Sequence, residues 1–224
     1  LSYRILEERG GDRQPVLDDT GKSLVLQKVA GNLKEELPTL GSLLHRQGYI
    51  HEVKSAISEF MQYGLSVEDV AKLADFAANR GALYYKLKDL ELLYRSFQEY
   101  IQGHFITTEE KLELLRRALK DSAIVRDSVI VFDGFTGFTP IQNRLIQELM
   151  VLAEEVIVTV TLGDKEDAFR PEGEQKLFYL SKKTVHDLEK LAREAGVQRG
   201  QDIYVGNGNS PRFGENTALI HLEK

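Results

Sequence analysis

Two short apolar runs on either side of one helical stretch constrain the fold more than anything else in the chain. Val129-Ile130-Val131-Phe132 is continuously apolar, the pattern of a strand buried on both faces. Val156-Ile157-Val158-Thr159-Val160-Thr161-Leu162 is β-branched almost throughout and reads as a second strand. Between them, Thr139 is placed to cap a helix that starts with Pro140 at its first position and runs to Ala153. A strand, a helix and a strand in that order predict a parallel pair joined by a right-handed crossover.

Upstream, from the start to about Asp121, the periodicity is that of helices, with Gly, Pro and Asn at their ends. Leu83, Leu87, Leu90, Leu93, Tyr94 and Phe97 recur at three- and four-residue intervals, which predicts a helix over 82–101 with one apolar face. Ser66 with Asp69, and Thr107 or Thr108, supply helix N-caps. Downstream, a helix is expected from about Thr184 to Ala195, ending at Gly196. Asp202 to Val205 is a candidate strand, and Gly206 to Pro211 a loop. The expected domains are a helical subdomain over 1–121 and an α/β portion over 122–224.

With 224 residues, 42% hydrophobic and 29% charged, the chain has the composition of a globular protein with a sizeable core. No apolar run reaches the roughly 20 residues of a membrane span, so a soluble, cytoplasmic protein is expected. The first residues lack the basic start and apolar stretch of a signal peptide, and the chain reads as a piece of a longer polypeptide. The absence of cysteine excludes disulfides, thiolate nucleophiles and thiolate-held metal or iron–sulfur centres within these residues. A net charge of −6 gives no global basic footprint, so any contact with nucleic acid must be local.

The chemistry-bearing candidate is Asp133, at the C-terminal end of the first strand, where open α/β sheets gather their ligand-binding residues. A carboxylate there holds Mg²⁺ in nucleotide-hydrolysing proteins; it equally serves as a turn former or helix cap. The stretch Val131-Phe132-Asp133-Gly134-Phe135-Thr136-Gly137-Phe138-Thr139-Pro140-Ile141-Gln142 resembles the second motif of UvrD-like superfamily 1 helicases, whose strand ends in Asp-Glu. Gln142 matches that family's Gln, and Gly163-Asp164 resembles the start of the third motif. Gly134 stands where the resemblance implies the catalytic Glu, and Asp167 where it implies the Gln that senses the γ-phosphate. Glycine has no side chain to polarise water, so hydrolysis has lost its base.

Asp-Gly-Phe followed by Phe-Thr-Pro is similar to the AddB family, in which a helicase fold persists while its motor motifs have decayed. Leu1-Ser2-Tyr3-Arg4 through Gly10-Gly11, Gly48-Tyr49-Ile50, Glu59-Phe60, Lys86 to Leu90 with Tyr94, Arg212-Phe213 and His221-Leu222-Glu223 resemble segments of that family in order. The resemblance implies a partial RecA-like parallel sheet of the P-loop NTPase type (helicase 1A-like) with a large inserted all-helical subdomain (1B-like). It further implies an inactive scaffold that contributes to the DNA path and subunit assembly in double-strand-break repair and recombination. It implies an AddA-type motor subunit and unwound single-stranded DNA as partners, and recognition of a regulatory DNA sequence. Mg-ATP and an iron–sulfur cluster are implied only for the intact complex, an ATP-dependent helicase and exonuclease; this segment is expected to need no cofactor and to lack ATPase and nuclease activity. Two alternatives stay open: a piece of an active helicase using another acid such as Asp164, and a helical protein–protein interaction module.

Other features carry less. Gly21-Lys22-Ser23 resembles the end of a phosphate-binding loop, but Val16 occupies the position of the required glycine, and a polar turn before a helix from Leu24 is expected. The five histidines form no metal-ligand spacing. Arg116, Arg117 and Lys120, and Lys182 with Lys183, are the basic clusters available for DNA; as helix faces they equally balance neighbouring acids.

Overall fold

The computed structural model describes residues 2–8, 14–43, 46–163 and 166–205. In chain order the elements are α1 (Ser2–Glu8), β1 (Val16–Leu17), α2 (Asp19–Asn32), a 3₁₀ turn (Lys34–Glu36), α3 (Gln47–Tyr63), α4 (Val67–Phe76), α5 (Ala82–Ile101), β2 (Ile106–Thr107), α6 (Thr108–Leu119), α7 (Ala123–Arg126), β3 (Val129–Phe132), α8 (Pro140–Leu152), β4 (Glu155–Val158) and α9 (Tyr179–Glu194). The chain is mixed α/β, mostly helical, with two small parallel sheets.

Two compact units divide it: residues 1–126 with 139–152, and residues 127–138 with 153–224. In the first, α2, α3, α4 and α5 bury Val25, Leu26, Ile57, Val70, Leu93 and Phe97 together. The caps expected from the sequence are present: Ser66 and Asp69 bond reciprocally at the start of α4, and Thr107 with Glu110 at the start of α6. Asp89, a buried carboxylate on α5, accepts the backbone N–H groups of Thr39 and Leu40 at 2.9 and 2.7 Å, which fixes the turn after the 3₁₀ segment. Within that turn a Cβ on Gly41 would lie 2.3 Å from the Lys34 carbonyl oxygen, so only glycine fits.

The structure corrects three expectations here. Gly21-Lys22-Ser23 is not a turn but the first part of α2, because Asp18 caps that helix by accepting the Gly21 N–H at 2.7 Å. Lys22 is buried and its ammonium meets both oxygens of Glu109 on α6 at 3.1 and 2.9 Å. The helical half also contains β1 and β2, a parallel two-residue ladder too short to leave any alternation in the sequence.

In the second unit, β3 and β4 pair in parallel with Val129 opposite Glu155 and Phe132 opposite Val158, as the two apolar runs predict. The strand is not buried on both faces, however. Ile130 points inward, while Val129 and Val131 are exposed, because two strands with open edges leave one face without a covering layer among the described residues. Asp202 to Val205 forms no strand and lies exposed. Asp164, His45, the Gly206–Pro211 loop, Gly10-Gly11, Arg212-Phe213 and the His221 segment fall outside the described residues. No described helix is long and apolar enough to cross a membrane.

Candidate functional site at the end of strand β3

Asp133 follows β3 directly, and its carboxylate accepts a short hydrogen bond from the hydroxyl of Thr159, the residue after β4. The Thr159 N–H also donates to the Phe132 carbonyl at 2.9 Å, so both strand ends are laced together at the acidic residue. Gly134 then turns the chain with φ of +75°, and a Cβ built there meets nothing within 4 Å. The obstacle to a larger residue is the left-handed backbone, not space.

Beyond the turn, Phe132, Phe135 and Phe138 form a ring cluster, the latter two stacked with centroids 5.1 Å apart. The hydroxyl of Thr184 on α9 donates to the Thr136 carbonyl at 3.2 Å, holding the loop from its other side. The loop is thus built of aromatic packing and backbone bonds, and one carboxylate is its only acid.

Gln142 caps α8. Its side-chain oxygen accepts the Thr139 N–H at 2.8 Å, while the Thr139 hydroxyl accepts the Gln142 N–H at 3.4 Å. Gly163 lies against the Phe178 ring, where a Cβ would come within 3.0 Å of the ring edge. Asp167 accepts the Phe169 N–H at 2.9 Å in a local turn.

The basic candidates are all engaged with acids. Arg116 bonds Glu113 on its own helix and reaches Glu148 on α8 at 2.8 Å. Arg117 shares Glu113, and Lys120 stands 3.9 Å from Glu148. The Arg116 and Arg117 bonds hold the Glu113 carboxyl down at about 2. Lys182 is only 4% exposed and lies between Glu166 and Glu172. Burial works against its charge, yet the two carboxylate bonds outweigh that and keep its pKa above the usual lysine value. Lys183 pairs with Asp187 one turn along α9. Among the described residues no group of three or more His, Asp or Glu is arranged to hold a metal ion.

Residues 1–223 match the model of the family described as ADDB, N-terminal. The chain belongs to the AddB family. Its relatives include proteins named as the AddB component of an ATP-dependent helicase/deoxyribonuclease from Lachnoclostridium phytofermentans, 39% identical, Moorella thermoacetica, 34%, and Caldanaerobacter subterraneus subsp. tengcongensis, 33%. Each match covers 100% of this chain and 19–20% of the relative, so the chain spans about a fifth of the length of these proteins. The Asp-Gly-Phe and Phe-Thr-Pro residues that resemble AddB in sequence are those that build the turn and ring cluster after β3. Sequence reasoning passes over Thr159, the partner of Asp133, because a threonine within a β-branched run carries no signal beyond strand propensity.

Proposed function

We propose that this AddB segment is part of a helicase-like scaffold that has lost nucleotide hydrolysis and contributes to the DNA path of an ATP-dependent helicase/deoxyribonuclease acting in double-strand-break repair and recombination. The carrying observation is the end of β3: Asp133 is tied to Thr159, and the next residue is a glycine in the left-handed region. A water-activating acid has neither a side chain nor a suitable backbone there. The RecA-like reading of β3, α8 and β4 is supported by the parallel register and by the acid at a strand end. The exposed Val129 and Val131 fit a sheet that gains further strands in a longer polypeptide. A motor subunit of the AddA type would then be the source of ATP turnover.

The described residues do not fit Mg-ATP. The lysine of the phosphate-loop look-alike is consumed by Glu109, and Asp133 has no second acid beside it. An iron–sulfur cluster held by thiolates has no ligand in a chain without cysteine.

The test is ATP turnover by the purified chain with and without single-stranded DNA. No turnover is expected, and Asp133→Ala should leave the baseline unchanged. DNA-stimulated hydrolysis that disappears in Asp133→Ala overturns the proposal.

A further inference from the structure

The turn between α4 and α5 has a surface unlike the rest of the molecule. From Phe76 to Lys88 the chain carries Arg80, Lys86 and Lys88 and no acidic residue, within a protein of net charge −6. It also exposes aromatic rings: Phe76 is 83% exposed and Tyr85 55%, with Tyr84 packed edge-on against Tyr85 at 5.2 Å. Leu83, the first member of the apolar stripe on α5, is likewise exposed, whereas Leu90, Leu93 and Phe97 further along are buried. The core therefore does not account for the aromatic residues at this end.

The turn is held firmly. Lys88 on α5 reaches Asp75 at the end of α4 at 3.5 Å, and Gly81 reverses the chain with φ of +48°. Tyr85 lies one turn before Lys88 on α5, so that tether fixes the helix surface that displays its ring. Arg80 and Lys86 differ from the five basic residues described above: neither has an acidic partner among the described residues. An unpaired guanidinium and an unpaired ammonium beside exposed aromatic rings match a strand that offers phosphates and unstacked bases together.

We propose that the α4–α5 turn is a contact for single-stranded DNA, with Phe76 and Tyr85 as stacking platforms and Arg80 and Lys86 against the phosphates. This rests on the reading that the segment lies along a DNA path, and places the contact away from the basic residues of α6 and α9. Charge decides between classes of partner. A protein docking on apolar rings would not need the acid-free, cationic border, whereas a polyanion does.

The experiment is fluorescence anisotropy of a labelled oligodeoxythymidylate titrated with the chain at low salt and at rising salt. Phe76→Ala combined with Tyr85→Ala should weaken binding roughly tenfold to hundredfold. Arg80→Ala combined with Lys86→Ala should flatten the dependence of log affinity on log salt by about 1.4, the loss of two phosphate contacts. All four side chains are exposed or at a turn, so thermal melting should match the parent; Lys190→Ala, on a paired α9 residue, should leave binding as it is. If the chain binds and both double variants bind equally well, the turn is not the contact, while the DNA-path reading stands. If the unmodified chain binds no single-stranded DNA even at low salt, the contact and the DNA-path reading fall together.

Discussion

At Gly134 the backbone conformation matters more than the missing side chain. A glutamate restored there would have room, since nothing lies within 4 Å of its Cβ, but would have to adopt φ near +75°. Left-handed backbone costs a residue with a Cβ about 1–2 kcal/mol. Gly134→Glu is therefore expected to lower stability by about that amount in urea unfolding and to confer no ATP turnover. A gain of DNA-stimulated hydrolysis would show that the carboxyl alone was missing. Asp89 shows the opposite case, an acid whose work is structural. Asp89→Ala strands two buried N–H groups and should cost about 2–4 kcal/mol, whereas Asp89→Asn keeps an accepting oxygen and should cost less than half as much. Equal losses in the two variants would mean that the N–H groups find other partners.

At the level of elements, Arg116 clamps α6 to α8 through Glu113 and Glu148. Glu113 has its carboxyl depressed from 4.5 to about 2, with the Arg116 hydrogen bond as the largest cause. A depressed carboxyl stabilises the fold above its unfolded pKa, and that stability is lost as pH falls from about 4.5 towards about 2. Because the pair is partly solvated, Arg116→Ala should cost about 1 kcal/mol at neutral pH. The gap between variant and parent should narrow in denaturant melts below about pH 4. A gap independent of pH would assign the loss to the arginine's packing. Elements of this kind are largely legible in the sequence. The bounds of α5 follow from its leucine spacing, those of α8 from Thr139 and Pro140, and the α4 cap from Ser66 and Asp69, because period and cap chemistry are local. The pairing of Lys22 with Glu109, 87 positions apart, is not legible, nor is the bond from Thr159 to Asp133; each depends on which helices or strands become neighbours. The early starts of α2 and α9 escape for a different reason. Asp18 caps α2 ahead of its first apolar residue, where no periodicity marks the helix, and Phe178 opens α9 with no side-chain cap at all.

For the molecule as a whole, burial is divided unequally between the two units. The first contains the large apolar cluster of α2 to α5, together with Ile5, Leu119, Ile146 and Leu149, all nearly inaccessible. In the second, the buried apolar side chains are Ile130 and Ala168, and Lys182 is among its most buried groups. At roughly 25 cal/mol per Å² of apolar surface removed from water, a unit that hides so little should open at much lower free energy. Hydrogen exchange followed by mass spectrometry tests this directly. Amides of α5 and α6 should be the last to exchange, while β3, β4 and α9 should exchange through openings well below the global unfolding free energy. Adding the longer polypeptide of the relatives should then slow exchange in β3 and β4 most, because Val129 and Val131 are the apolar side chains still open to water there. If β3 in the isolated chain proved as protected as α5, the open face would be closed by something other than added strands, and the reading of β3 and β4 as part of a larger sheet would lose its support.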